Sequence, residues 1–298
     1  MSNAWQRSEG AITFSWDLWY GCNYRCSYCW WEMDGLWDKL AKQHRILPPE
    51  DWLKVWERIR AAHGELRIDI LGGEPLLYPR FDELLEGLSK LHIVQATTSL
   101  AIPLDRLDSL LARILPGRVH FNASFHPEFT SLDDFLARIM RLKDRDFEPG
   151  ALVVTWPPFF DRLKAWSDAF RSRGIPFTPM VFQGRWQGRS YPEAFTEAER
   201  ELIASLMNDP SAKEAEVKYR LERNSTKGRL CHAGRVYANV KADGTVFRCG
   251  QDAFGQKPLG SIFDPKFRLL DAPAPCPYET CSCQEFRLLD EVQACGPR

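Results

Sequence analysis

The chain has 298 residues, enough for two average domains or for one large α/β domain with an appendage. Its 44% hydrophobic and 27% charged residues exclude a disordered or fibrous chain, and this length buries a core without help from disulfides. With 39 Lys+Arg against 40 Asp+Glu the net charge is -1, so there is no global basic field and nucleic acid is not an expected partner.

No apolar run is long enough for a membrane helix, and Met1 to Trp5 opens no basic segment with an apolar stretch behind it, so no membrane partner and a cytoplasmic address are expected. Taken in chain order, short β-rich runs precede longer amphipathic ones. Ile12 to Trp19 leads to a helical pattern over Pro49 to Ala62, Leu66 to Leu71 to Phe81 to Leu91, and Ile93 to Thr98 to Leu104 to Leu115. The alternation continues with Arg118 to Phe125 before Leu132 to Leu142, Ala151 to Trp156 before Phe159 to Arg171, and Pro176 to Phe182. Repeated βα units specify a parallel sheet with right-handed crossovers, closed or part-closed into a (β/α)6 TIM-like barrel, with the active site at the C-terminal strand ends.

An amphipathic helix over Thr196 to Met207 is followed by the apolar-poor stretch Asn208 to Gly228, read as a connection. The expected division is therefore a partial barrel with its connecting helix over residues 1–225 and a small α+β domain over 226–298. In the latter, Arg235 to Val240 and Thr245 to Cys249 flank Ala242-Asp243-Gly244 and read as a β-hairpin.

The nine cysteines are the informative anomaly, because a reducing compartment favours metal binding or catalysis over disulfides. Cys22, Cys26 and Cys29 lie in Cys-Asn-Tyr-Arg-Cys-Ser-Tyr-Cys, a C-x3-C-x2-C spacing just after the first strand. Such a loop wraps three thiolates around one cubane iron–sulfur cluster and leaves one iron open. Zinc is the alternative, but it wants a fourth ligand, and His44, the nearest in sequence, lies outside the spacing of such knuckles. At the end of the second strand stands Leu71-Gly72-Gly73-Glu74-Pro75. Its glycines let backbone approach a ligand closely, and its carbonyls with Glu74 can accept hydrogen bonds from an ammonium group.

The three-cysteine loop, with Tyr28 just before its last cysteine, and the Gly-Gly-Glu-Pro segment together resemble the radical S-adenosylmethionine (radical SAM) enzymes. The resemblance implies that Cys22, Cys26 and Cys29 hold a [4Fe-4S] cluster whose free iron is chelated by S-adenosylmethionine. One electron then cleaves that molecule to a 5′-deoxyadenosyl radical. Tyr28 would pack near the adenine, Thr98 and Ser99 would serve the ribose or carboxylate, and Asn122 and Ser124 would occupy the next strand tip. Val154 and Trp156 would form an apolar wall. His126, at the barrel mouth, is a candidate acid/base or substrate contact. The Arg-, Gln- and aromatic-rich segment Phe177 to Pro192 is expected to carry, from Phe182 on, a loop beside the substrate.

The C-terminal cysteines resemble the auxiliary-cluster extensions called SPASM and twitch domains. Six cysteines follow residue 230, and the seven-cysteine pattern of a two-cluster SPASM domain is incomplete, so one auxiliary [4Fe-4S] cluster is expected. Cys231 and Cys249 are the firm pair, with the other ligands from Cys276, Cys281 and Cys283, and Cys295 last. A structural zinc site is the alternative. The resulting expectation is an enzyme abstracting hydrogen from a small molecule, such as a dehydrogenase, with flavodoxin or ferredoxin as reductant. A peptide maturase is the rival, although only about eleven residues precede the first strand. A non-enzymatic iron–sulfur or zinc module is the other class, and it leaves the Gly-Gly-Glu-Pro segment without a use.

Overall fold

In Thr13–Trp19 (β1), Phe14, Trp16 and Leu18 alternate with Thr13, Ser15, Asp17 and Trp19. The first set is completely buried, with the Trp16 ring 4.6 Å from Trp52 and the Phe14 ring 5.6 Å from Trp56. Both partners belong to the long helix that follows, so one face of β1 is the helix-covered face and the other is turned to the barrel interior. The computed structural model describes residues 12–40, 42, 45–207, 210–281 and 284–293.

After β1 come the cysteine loop and two one-turn helices, α1 (Trp30–Met33) and α2 (Trp37–Leu40). Then α3 (Pro49–His63), β2 (Arg67–Gly72), α4 (Phe81–Leu91), β3 (Ile93–Thr98), α5 (Leu104–Leu111) and β4 (Val119–Ser124) follow in strict alternation. The series ends with α6 (Leu132–Lys143), β5 (Gly150–Val154), α7 (Leu163–Arg171), β6 (Phe177–Met180) and α8 (Glu197–Leu206). Strands β1 to β6 pair in sequence order and in parallel, as the βα repeat demands. The result is an open, partial (β/α)6 barrel, because β6 ends one edge of the sheet.

Three segments differ from their sequence patterns. The helix begun at Leu104 stops at Leu111, ahead of Pro116-Gly117, and Arg118 turns back to donate to the Pro116 carbonyl. The pattern over Phe159 to Arg171 is split, because Pro157-Pro158 starts a tight 3-10 stretch, Pro157–Arg162, before α7 begins. The segment expected as a loop forms a hairpin, β7 (Gly184–Trp186) and β8 (Arg189–Tyr191), around Gln187-Gly188, both with positive φ (46° and 75°).

The stretch read as a connection also has structure. It holds α9 (Pro210–Glu216) and a π-helical turn, Val217–Leu221, which buries Tyr219 and Leu221. Beyond it lie β9 (Leu230–Cys231), β10 (Tyr237–Val240), β11 (Thr245–Phe247), α10 (Gly250–Phe254), β12 (Pro258–Ser261), β13 (Ala274–Pro275) and α11 (Asp290–Gln293). The expected hairpin is β10–β11, and it extends the barrel's own sheet: β10 runs parallel to β1 from Thr13↔Tyr237 to Trp16↔Val240. The sheet therefore reads β12-β11-β10-β1-β2-β3-β4-β5-β6.

Candidate active site

The cysteine loop is rooted on β2. Gly73 donates to the Trp19 carbonyl (2.9 Å), Glu74 donates to the Gly21 carbonyl (2.8 Å), and Trp19 Nε1 donates back to the Glu74 carbonyl (2.9 Å). The two strand ends thus run against each other with no room for side chains. A Cβ on Gly72 would lie 2.2 Å from the Trp19 carbonyl oxygen, and one on Gly73 would lie 2.0 Å from that of Gly21. The absence of side chains at these glycines therefore permits this close backbone contact, immediately ahead of Cys22.

Glu74 is likewise held within the chain. Its carboxylate is 1% exposed and accepts from Thr98 Oγ1 (2.5 Å), Ser99 N (2.7 Å), Ser99 Oγ (2.5 Å) and Leu76 N (3.0 Å). Four donors fill its lone pairs, so the side chains of Glu74, Thr98 and Ser99 form an internal brace between the ends of β2 and β3. Burial raises the Glu74 carboxyl, and those hydrogen bonds oppose the rise. Pro75 is buried and opens the 3-10 turn Pro75–Leu77 that Glu74 caps.

Within the loop, Cys26 is buried and Cys22 and Cys29 are half-buried. Tyr24 N donates to Cys22 Sγ (3.4 Å), and backbone groups of Trp31 and Glu32 face Cys29. Burial pushes the Cys26 thiol up to about 12 and also raises Cys22 and Cys29, with Arg25 only partly opposing it for the last two. Three desolvated thiols on one short loop fit a cluster whose positive charge deprotonates them.

His126 follows β4 and meets this loop. Its Nδ1 lies 3.0 Å from the Tyr28 hydroxyl and 3.4 Å from Cys26 Sγ. Burial lowers the imidazole to about 4 and raises the phenol, so a protonated Tyr28 faces a neutral ring. Tyr28 also packs 5.8 Å from Trp156, which is 2% exposed and sits in turn 4.6 Å from both Phe182 and Trp186. Trp156 is thus the interior of an aromatic cluster, with Tyr28 at its margin. The β7–β8 hairpin lies over α1, where a Cβ on Gly184 would come 2.7 Å from Met33 Cε.

The interior face of the sheet stays partly open. Asp69, Gln95, Thr97, Asn122, Ser124, Leu152, Val154 and Met180 are half-buried there, whereas the alternate residues lie under the helices. Asn122 and Ser124 thus stand at the end of β4 as expected, and Val154 borders the aromatic cluster. Sequence reasoning missed one pair: Asp17 of β1 accepts a 2.8 Å ion-pair contact from Lys241, carried in by β10. The signal was the alternation that turns Asp17 away from Trp16 and Leu18.

A second thiol group lies in the C-terminal part. Cys231, Cys249, Cys276 and Cys281 line one cavity of about 380 Å³, counted with the solvent at its mouth, together with Asp252, Tyr278 and Glu285. The hairpin and the returning chain do bring Cys231 and Cys249 to one place. Cys283 and Cys295 lie outside the described residues. Burial lifts Cys249 to about 12 and raises Cys231 and Cys281. Tyr278 donates to Asp252 Oδ1 (2.5 Å), and Glu285 Oε1 accepts from Tyr237 (2.8 Å) and Gly250 N (3.3 Å). Among the described residues, no three His, Cys, Asp or Glu side chains converge on a point for a single metal ion, and no helix is long and apolar enough to cross a membrane.

The fold resembles that of Streptococcus suis SuiB bound to its precursor peptide SuiA, with a TM-score of 0.63 and 13% identity, over 86% of this chain and 63% of that one. SuiB bound to S-adenosylmethionine matches at TM-score 0.59 and 15% identity, over 85% and 64% of the two chains. The chain thus spans less than two thirds of the SuiB length. Native anSMEcpe with bound AdoMet matches at TM-score 0.62 and 14% identity, over 95% and 82% of the two chains. No curated protein sequence matches the chain significantly. A family model described as the radical SAM superfamily matches residues 17–182, a segment that starts in β1 and runs past β6, and so takes in both the cysteine loop and the Gly-Gly-Glu-Pro turn. The chain belongs to the radical SAM superfamily, enzymes that use S-adenosylmethionine with a [4Fe-4S] cluster.

Proposed function

We propose that this enzyme abstracts hydrogen from a small polar molecule, in a dehydrogenation or a related C–H modification. The observation that carries the reading is the backbone zipper between Trp19–Gly21 and Gly72–Glu74, which fixes Cys22, Cys26 and Cys29 at the C-terminal ends of the strands. When bound there, the cluster and S-adenosylmethionine supply the 5′-deoxyadenosyl radical. The chain's own residues do the rest. Cys22, Cys26 and Cys29 hold the cluster, and the Gly72 and Gly73 segment borders the methionine end. Tyr28, Asn122, Ser124 and Val154 line the place for the nucleoside. The polar interior face, where Arg67 donates to Asp69 (2.6 Å) and Gln95 (2.5 Å) and Thr97 stands beyond them, would offer hydrogen bonds to a substrate, and the aromatic cluster keeps water from one side.

The small-molecule reading is supported by the β7–β8 hairpin, which closes that side against α1. A peptide substrate is the second reading, favoured because the SuiB and anSMEcpe structures include complexes with peptides. We further propose that Cys231, Cys249, Cys276 and Cys281 hold one auxiliary [4Fe-4S] cluster in a twitch-like region over 226–298, since four thiols from separated segments line one cavity. Such a cluster would accept the electron left on the substrate radical after a hydrogen atom has gone to the 5′-deoxyadenosyl radical, while flavodoxin or ferredoxin would supply the separate electron that cleaves S-adenosylmethionine at the first cluster.

The test is anaerobic reduction with S-adenosylmethionine and measurement of 5′-deoxyadenosine. The protein should form it, and Cys26→Ala should not; equal yields from both would end the proposal. Stimulation by a small-molecule extract supports the first substrate reading, and stimulation by a peptide fraction alone supports the second.

A further inference from the structure

We infer that the loop from β4 to α6 clamps the cysteine loop, with Glu128 as its positioning residue. This rests on the reading that Cys22, Cys26 and Cys29 hold the cluster.

A cluster held by only three protein ligands depends on the spacing of their sulfurs, and that spacing depends on the residues between them. Each of the two gaps in the C-x3-C-x2-C loop is tied to residues 126–129. In the gap from Cys22 to Cys26, the Tyr24 ring lies flat on Phe129, 4.5 Å between centroids and 13° between planes. In the gap from Cys26 to Cys29, Ser27 donates twice to Glu128: its backbone N–H to Oε2 (2.8 Å) and its hydroxyl to Oε1 (2.6 Å). Tyr28, next in the same gap, has its hydroxyl within hydrogen-bond distance of His126 Nδ1 (3.0 Å). The clamp is itself set by a turn, in which Phe129 and Thr130 both donate to the His126 carbonyl, and Ser131 then caps α6 by accepting from Asp134 N.

Glu128 is the decisive member because it uses both carboxylate oxygens on one residue. A single hydrogen bond leaves Ser27 free to rotate about it, whereas a two-point charged contact fixes position and torsion together. Ser27 adjoins Cys26 and stands two residues before Cys29, so that torsion sets the angle between two of the three ligands. Both side chains are exposed, and Glu128 has no place in the core, so its removal leaves the barrel folded.

The experiment compares Glu128→Ala, Glu128→Gln and Ser27→Ala with the unsubstituted protein. Amide exchange over the segment containing Ser27, measured in iron-free protein, should rise about tenfold in Glu128→Ala, the size expected for losing a charge-assisted hydrogen bond. After anaerobic reconstitution, the same variant should lose its cluster faster in air and show a weakened change in the EPR signal on adding S-adenosylmethionine. Its thermal unfolding should not change. Glu128→Gln, which keeps an acceptor for the Ser27 N–H, and Ser27→Ala, which keeps the backbone bond, should fall between. An unchanged exchange rate and EPR response in Glu128→Ala overturns the inference alone. If the unsubstituted protein itself gives no S-adenosylmethionine-sensitive signal, the cysteine reading fails and the inference with it.

Discussion

At the scale of single residues, Gly73 shows how a motif is legible while its physical reason is not. Gly-Gly-Glu-Pro marks a close approach, and the sequence reading assigned that approach to a ligand. The structure adds a close approach to the Gly21 carbonyl and holds Glu74 on Thr98 and Ser99. Nothing local in the sequence distinguishes the two, because the partner of the turn lies some fifty residues upstream. Gly73→Ala should therefore push away the root of the cysteine loop, at a cost of about 1–3 kcal/mol for a forced backbone shift, and lower the iron content of the first site. Iron analysis and the unfolding temperature check this, and parental values for both would refute it.

Buried imidazoles give a second prediction at this scale. His92 is fully buried, accepts from Leu66 N through Nδ1 (3.1 Å), and is pushed down to about 4 by burial; His120 is likewise lowered to about 4. Their protons are taken up near pH 6.5 in the unfolded chain but only near 4 in the native one, so the unfolded state binds more protons throughout that window. The stability they contribute is complete above about pH 6.5 and is lost as the pH falls toward about 4. Thermal unfolding of the iron-free protein should shift down across that range. His92→Asn should be less stable at neutral pH yet lose less on acidification, whereas an equal acid loss in variant and parent would count against His92.

At the scale of elements, legibility followed periodicity. The helices at Pro49, Phe81 and Leu132 and the strand Ile93–Thr98 repeat apolar residues at their own period, because each has one face on a common core. The β7–β8 hairpin and the helix Pro210–Glu216 escaped that reading. A three-residue strand shows no period, and the second segment buries its Tyr219 and Leu221 only at its far end. Where the core is densest the energetic consequence is large: Trp56 is completely buried against Phe14 and Trp16. Trp56→Ala should cost about 3–5 kcal/mol, read as a lowered midpoint in urea. A midpoint within error of the parent would mean that α3 does not hold β1.

Across the whole molecule, the C-terminal segment was legible as a cysteine-bearing hairpin but not as part of the barrel sheet, since strand pairing over more than two hundred residues leaves no trace in either strand. Through β10 the auxiliary cavity is joined to β1, the strand that carries the first cysteine loop, and the Lys241–Asp17 ion pair fastens the same edge. Of the cavity's thiols only Cys249, just past β11, follows a strand of that sheet, whereas Cys231 lies in β9, which pairs with β13 in a sheet of its own, so loss of the second thiol group need not dismantle the first. Anaerobically reconstituted protein should contain about eight irons per chain, four for each cubane. Cys231→Ala with Cys249→Ala removes two of the four thiols lining the cavity and should bring this to about four. The double variant should still cleave S-adenosylmethionine, because Cys22, Cys26 and Cys29 and their zipper to Gly73 are untouched, but it should no longer couple that cleavage to product. Mössbauer spectra and metal analysis decide the outcome: unchanged iron in the double variant would remove the second cluster from these cysteines, and zinc in the parent protein would end its redox role.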